Sequence, residues 1–241
     1  MPDCQFMNFD CADELDQPIY RIMKEEHVLK MFEDRRSAMS KVENWKDNFE
    51  NFLMKCGRER SGGRHDDTVR QGIVAQCWTK EIYSEAMWGI YANDRNTRFL
   101  RIRSTPRKLL EALRCAKPNL EKELCRIGKV EYKKTNEIRR WYYRHKSDEV
   151  NPRQLFESLL RKRKAFSHEN EVRLMYCAKT IPLDQEGLFW YDVDPKSMIT
   201  QIMADPNRNR EDWTDEKEKI QSKTKFCGEI KRSKIYDAPD W

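Results

Sequence analysis

The sequence predicts an α+β fold, a single mixed domain in which a central, largely antiparallel sheet is flanked by helices. Strand-like and helix-like segments follow one another in irregular order, which argues against a doubly wound parallel sheet. The chain of 241 residues can bury one sizeable core, and no glycine-serine or proline-rich linker divides it. Charged residues make up 37% and apolar ones 38%, yet the seven tryptophans make the chain too aromatic to be disordered. One domain over residues 1–241 is therefore expected.

The first helix is expected over Glu25–Arg36, where Val28, Met31, Phe32 and Arg35 share a side, and Trp45–Phe52 has a similar pattern. Residues Gly57–Gly72 read as a charged, glycine-bearing loop, followed by an apolar strand-like run at Ile73–Trp78. Glu81–Ala92 reads as a helix with a wide apolar face of Ile82, Tyr83, Ala86, Met87, Ile90 and Tyr91. Thr97–Arg103 alternates as a strand does, and Thr105 followed by Pro106 has the form of a capped helix start. Arg126–Tyr132 reads as a strand and Pro152–Lys164 as a helix. The strands Phe166–Tyr176 and Gly187–Val193, a charged helix over Asp212–Lys223 and a short strand at Glu229–Ile235 complete the order.

Within Phe166–Tyr176, alternation puts Glu169, Glu171 and Arg173 on one face and Val172, Leu174 and Tyr176 on the other. If that face lines a cleft, two carboxylates and a guanidinium suit stabilising a cationic transition state and orienting a phosphate or sugar. If it faces water, it is a solvated strand face. Both readings are open at this stage.

The net charge is +6 with a pI near 8.8, and cations cluster at Arg58–Arg70, Arg139–Lys146 and Arg161–Lys164. Such patches attract phosphate-bearing partners. In Arg139-Arg140-Trp141-Tyr142-Tyr143-Arg144-His145-Lys146, aromatics interleave with cations, the composition of a surface that stacks bases and holds a backbone. The same pattern also suits an amphipathic helix with its aromatics in the core. The candidate nucleic-acid contacts are Arg139, Arg140, Arg144, Lys146, Arg161, Lys162, Arg163 and Lys164.

The eight cysteines are scattered without a Cys-x-x-Cys pair and the four histidines are isolated, so free core thiols and no metal site are expected. An acidic N-terminus with Asp3, Asp10, Asp13 and Glu14 does not suit a signal peptide, and apolar runs are short. A cytoplasmic protein without a membrane segment is expected. No glycine-rich phosphate loop, G-x-S-x-G elbow or paired helical histidines occur.

What remains is an ordered set of short pieces: Ile19-Tyr20-Arg21-Ile22, Met39-Ser40, Trp45-Lys-Asp-Asn-Phe-Glu50, Cys77-Trp-Thr79, Ser84-Glu-Ala-Met-Trp88-Gly-Ile-Tyr91 and His168-Glu169-Asn-Glu171-Val-Arg173-Leu174. Their combination resembles a widespread bacterial family of unknown function over a core of roughly residues 19–205, leaving a C-terminal helix and short strand at 206–241. Asn48 and Thr79 depart from its pattern, where proline and serine are usual, and Asn93–Arg98 lacks its glycine-valine. The plan of early arginine, mid-chain serine and late Glu-x-Glu is also remotely similar to ADP-ribosyltransferases, among them toxins and phage-defence effectors.

That resemblance implies NAD as the cofactor, bound by Tyr20, Arg21, Ser40, Ser84, Trp88 and Tyr91, with Arg21 on its phosphates and Trp88 or Tyr91 as a nicotinamide wall. Glu171 becomes the catalytic carboxylate at the ribose, Glu169 orients the acceptor, and Arg173 is counted with them among the catalytic residues. It implies nucleic acid or protein as acceptor, and an antitoxin or defence-system protein as partner. The alternative is a non-enzymatic nucleic-acid-binding or regulatory module using the basic patches.

Overall fold

The protein, seen in a computed structural model, is described over residues 5–45, 47, 49–50, 72–94, 96–116, 124–145, 152–178 and 181–239. Among the described residues the strands are β1 (Phe6–Met7), β2 (Ile19–Lys24), β3 (Arg36–Lys41), β4 (Ile73–Thr79), β5 (Phe99–Ser104), β6 (Cys125–Lys129), β7 (Glu131–Lys133), β8 (Arg161–Arg163), β9 (Glu171–Cys177), β10 (Leu188–Asp192), β11 (Gln201–Ala204) and β12 (Glu229–Arg232). The α-helices are α1 (Glu25–Asp34), α2 (Glu85–Tyr91), α3 (Pro106–Cys115), α4 (Thr135–His145), α5 (Pro152–Leu159), α6 (Pro195–Met198) and α7 (Trp213–Thr224). The mixed α+β class is as the sequence predicts. No helix among the described residues is long and apolar enough to cross a membrane.

Among the described residues ten strands form one sheet, whose main path runs β1-β6-β9-β4-β2-β5-β11-β12. Of these described pairings only β1 with β6 and β11 with β12 are parallel within it. Strand β9 is central and all seven of its residues are buried, with β4 and β6 antiparallel on its two sides. One face of the β4–β9 pair carries Val74, Trp78, Val172 and Leu174 into a core with Val28 and Met31 of α1 and Leu109 and Leu113 of α3. The other carries Ala75, Met175 and Cys177 against Leu155, Phe156 and Leu159 of α5. Period-2 alternation between two apolar layers thus makes this the least exposed part of the fold.

The feature that positions the site is a split in this sheet. Strand β4 pairs with β3 through Ala75 and Val74, but with β2 only at Thr79, opposite Tyr20. Between these contacts, Gln76, Cys77 and Trp78 have β9 on one side and a notch on the other. The Gln76 side chain spans part of it, its amide donating to Ser37 Oγ at 2.8 Å and to the Ala38 carbonyl at 2.6 Å. Trp78 Nε1 donates to Gln76 Oε1 at 3.3 Å, so both polar ends of a buried amide are satisfied.

Several segments differ from expectation. In the stretch Arg161–Lys164, read as the end of a helix, Arg161–Arg163 form the short strand β8, paired in parallel with β7 in a separate two-stranded sheet. The expected strand Phe166–Tyr176 begins only at Glu171, because Lys164–Glu169 winds as a 3-10 helix that ends at Asn170 in the left-handed region, φ 43°. Asparagine tolerates that conformation better than most residues. Helix α2 starts at Glu85, since the Ser84 hydroxyl accepts from the Met87 N–H at 3.3 Å and caps it. Of 45–52, Trp45, Asp47, Phe49 and Glu50 are described, with the last two in a turn; all of 57–71 lies outside the described residues. Strands β2 and β3 escape the sequence reading because their alternation is short and mixes cations with apolar residues, and β1 and β11 because they are only two and four residues long.

At the entry to β4, Gly72 accepts a hydrogen bond from the Ala178 N–H at 3.0 Å, and a Cβ there would lie 1.6 Å from the Ala178 carbonyl oxygen. Backbone must move to admit it. Gly72→Ala is therefore expected to lower stability by about 1–3 kcal/mol, the usual cost of overpacking. Denaturant unfolding checks this, and an unchanged midpoint would mean the contact is not rigid.

Candidate active site

Alternation along β9 sends Glu171 and Arg173 to the face that also carries Cys77 and Thr79 of β4, their register partners. Arg173 is fully buried and Glu171 is 5% exposed, so the solvated-face reading of this strand is overturned. Arg173 Nε donates to Glu171 Oε2 at 2.8 Å, and its Nη2 donates to Glu171 and, at 2.6 Å, to Glu50 Oε2. The Leu159 carbonyl takes Nη1, and the Trp45 ring lies 4.4 Å from the guanidinium carbon. The guanidinium is thus enclosed by acceptors and an aromatic face. Arg173, which the sequence reading put among the catalytic residues, is wholly buried with its donors taken up by the protein's own groups.

The second cation of the site is Lys162. In strand β8 its neighbours turn away, Arg161 to Glu131 at 2.9 Å and Arg163 to Asp47 at 3.2 Å, while Lys162 points in. Its ammonium lies 2.6 Å from Glu169, 3.1 Å from Glu50 and 3.3 Å from Glu171. Two cations therefore hold three carboxylates in one buried cluster. Burial alone would push the Lys162 pKa down, but the Glu171 charge, the Glu169 hydrogen bond and the Glu50 charge outweigh it and hold it above the usual lysine range.

The carboxylates are driven apart by their surroundings. For Glu169, burial and a hydrogen bond to Glu171 push the pKa up to about 7 despite Lys162. For Glu171, burial pushes upward, but the Arg173 charge, the hydrogen bond from Glu169 and the charge of Lys162 more than offset it, and the net direction is down. Near neutrality, then, one carboxylate holds a negative charge while its neighbour can hold or release a proton, the arrangement of an acid and base pair.

The backbone around them is pinned. The Glu171 N–H donates to Tyr132 Oη at 2.8 Å and its carbonyl accepts from Val130 at 2.9 Å. The Thr79 hydroxyl donates to the Glu169 carbonyl at 2.6 Å, and Asn170 reaches Glu81 at 2.9 Å. The tight turn between the two glutamates is therefore docked onto the end of β4.

A cleft of two lobes opens over this cluster, with Cys77, Tyr91 and Glu171 as their common wall. The outer lobe, about 690 Å³, is lined by Trp45, Phe49, Phe166, Lys162 and Glu169 among others. The inner lobe, about 200 Å³, occupies the notch in the sheet and is lined by Tyr20, Arg21, Ser40 and Gln76. Side-chain alternation through Tyr20, Thr79 and Glu171 would send Arg21 to the opposite face from Glu171; the notch connects the faces, and both residues line one cavity. Among the described residues no carboxylate pairs with Arg21, and burial pushes its pKa down.

Of the other candidate cofactor contacts, Tyr20, Ser40 and Tyr91 line the cleft. Ser84 is occupied as a helix cap, and Trp88, 4% exposed, is a core residue of α2 and lines neither lobe. Cys77 is not a thiolate: burial, then the Glu171 charge, pushes it up to about 12. Sequence reasoning assigned no role to Glu50 and misassigned Lys162. Glu50 was visible as the end of the Trp45–Glu50 piece, and period 2 through Arg161–Arg163 would have turned Lys162 inward.

The candidate nucleic-acid contacts separate into two groups. Arg139, Arg140 and Arg144 are exposed on α4, whose Ile138 and Tyr142 are buried. In the run Arg161–Lys164, by contrast, Lys162 is buried and Arg161 and Arg163 are ion-paired, which leaves Lys164 exposed. That run is not a surface patch, because strand alternation and carboxylate partners consume it. Lys146 lies outside the described residues. Among the described residues no group of three or more histidine, cysteine, aspartate or glutamate side chains could hold a metal.

No family model matches the chain, and no curated protein does. Among solved structures it is similar to the DarT of Thermus sp. 2.9 in complex with NAD+, at 11% identity over 91% of this chain and 96% of that one, with a TM-score of 0.39. The same protein in complex with ADP-ribosylated ssDNA overlaps at 11% identity over 95% and 98%, again with a TM-score of 0.39. At this identity and overlap, the chemistry of the cleft has to be read from its own residues.

The protonation of Glu169 has a thermodynamic consequence. Folded, it keeps its proton up to about pH 7; unfolded, it loses it near the ordinary carboxylate value of about 4.3. Between those values the folded state binds the extra proton, so this group's stabilising contribution is full at lower pH and is lost as pH rises to 7. Glu169→Gln is expected to remove that loss, gaining in stability on the wild type between about pH 5 and about pH 8. Thermal unfolding of both proteins at the two pH values tests it, and parallel pH dependences would refute the assignment.

Proposed function

We propose that the cleft binds NAD and that the chain is an ADP-ribosyltransferase-like enzyme acting on nucleic acid. The observation that carries this reading is the pairing, in one cavity, of Arg21 without a carboxylate partner among the described residues and Glu171 ionised between two cations. An unpaired, enclosed guanidinium suits a phosphate, which it can hold through two parallel hydrogen bonds. A fixed carboxylate suits the positive charge that develops on a ribose as its bond to nicotinamide breaks.

In the reaction the C–N bond to nicotinamide breaks, its electrons leave with the neutral nicotinamide, and the acceptor forms a new bond to the same ribose carbon. The acceptor gives up a proton as it attacks. Glu171 stabilises the cationic sugar, and Glu169 is placed and poised to take that proton. Tyr91, 40% exposed at the lip of both lobes, supplies an aromatic wall for a planar ring. Lys162, Arg173 and Glu50 hold the two glutamates, Lys162 and Glu50 from the wall of the outer lobe and Arg173 from behind it.

Nucleic acid as acceptor is favoured by the exposed cations Arg139, Arg140 and Arg144 on α4, beside Tyr143 at 57% exposure. Helix α4 is joined to the site through Trp141, whose ring lies 4.6 Å from the Arg161 guanidinium at the edge of β8. These groups suit a phosphate backbone and a stacked base.

Incubation with labelled NAD and a panel of single-stranded nucleic acids or protein acceptors tests the reading. The wild type is expected to transfer label. Glu171→Gln should lose activity by about 100-fold to 1000-fold, because it keeps the shape and removes the charge. Arg21→Ala should chiefly weaken NAD binding in calorimetry. An unaltered rate in Glu171→Gln, or no NAD binding by the wild type, would overturn the proposal.

A further inference from the structure

We propose a second ligand site, specific for a nucleoside phosphate, in the cavity between the C-terminal segment and the loop before α2. This cavity is about 770 Å³ and does not share a wall residue with the cleft. Its charged lining is Arg101, Arg210, Lys231, Arg232, Lys234 and Asp237. The one carboxylate among them is tied to Arg232 at 2.6 Å, and Lys231 pairs with Glu229 at 3.1 Å, which still leaves the lining with an excess of positive charge. Such an enclosure selects an anion.

Arg101 is the decisive group. It is 5% exposed, donates from Nη1 to the Ile82 carbonyl, and has no carboxylate partner among the described residues. Its Nε has no hydrogen-bond partner among the described residues. An enclosed guanidinium with an unused donor is costly unless something accepts from it. Its carbon stacks 4.5 Å from the Tyr20 ring, and Tyr20 lines the cleft while Arg101 lines this cavity, so the stack lies between the two.

The rest of the wall is aromatic and apolar. Trp213 and Tyr83, the latter 85% exposed, line the cavity with Ile82 and Ile235 beside the cations. A planar apolar body joined to an anion matches that mixed lining, and a nucleoside phosphate is the common biological molecule of this form. The volume falls within the range of roughly 300–1,000 Å³ usual for small-molecule sites. The phosphate could come from a free nucleotide or from one residue of a nucleic-acid strand; the chemistry recognised is the same.

The site stands independently of the reading of the cleft, and calorimetry of the full chain tests it. Adenosine monophosphate, inorganic phosphate and a short oligothymidylate are titrated into the wild type and three variants. The first is Lys231→Glu with Lys234→Glu, which reverses charge at solvent-facing positions; the others are Tyr83→Ala and Arg21→Ala. Adenosine monophosphate is expected to bind the wild type more tightly than phosphate, and the double lysine variant about tenfold or more weakly. Tyr83→Ala should weaken the nucleotide and leave phosphate alone, and Arg21→Ala should keep the affinity at this site. An oligothymidylate that binds more tightly than the mononucleotide identifies a strand as the source, and the reverse order a free nucleotide. The proposal falls if none of the three ligands binds the wild type, if the double lysine variant binds as the wild type does, or if Arg21→Ala alone abolishes binding. It falls equally if phosphate matches the nucleotide and Tyr83→Ala changes nothing.

Discussion

Lys162 and Arg173 stand buried among Glu50, Glu169 and Glu171, and the rest of the site depends on that constraint. Both cations are buried: Arg173 is wholly enclosed, and the Lys162 side chain is 8% exposed where it lines the outer lobe. Taking such charges out of water costs several kcal/mol each, which the pairing must offset through close contacts on every side. The groups meet that condition, since each cation touches at least two carboxylates. Removing one member would leave its partners uncompensated, so the arrangement is rigid in a way that an apolar core of equal size need not be.

The composition of the cluster also sets its proton balance. Two cations neutralise two carboxylates, and the third is left to take a proton, which the surroundings assign to Glu169. Arg173 and Lys162 hold Glu171 ionised against its burial, whereas burial and the hydrogen bond to Glu171 raise Glu169. One structural device thus yields two glutamates of different character, two positions apart, across the left-handed turn at Asn170.

The split in the sheet supplies the other half. In a continuous sheet, β2 would pair along the whole of β4, and Arg21 and Glu171 would face different layers. Because β4 is shared between β3 at one end and β2 at the other, its middle is open and a cavity passes through. Gln76 keeps that opening from closing or unravelling by bonding across to β3. The cleft and the second cavity then lie on either side of the Tyr20–Arg101 stack, both built from donors that the protein itself leaves unmatched.

The α+β class, the apolar runs of β4, nearly all of β9, α1 and α3 were legible in the sequence because each rests on local periodicity or a cap. So was the shared face of Glu171 and Arg173, which alternation alone dictates. The sequence did not show that Lys162 is an interior charge, since a run of four cations looks the same whether its partners are water or glutamates far away in the chain. Nor could it show that Ser84 is spent on a helix cap or that Trp88 is core, because both share a helical stripe with Tyr91. Glu50 and Arg21 reach Glu171 only through long-range pairing and a break in a sheet, and strand order is not written in any local pattern. Tertiary structure decided those placements, because burial and charge neutralisation are properties of residues brought together, not of residues in a row.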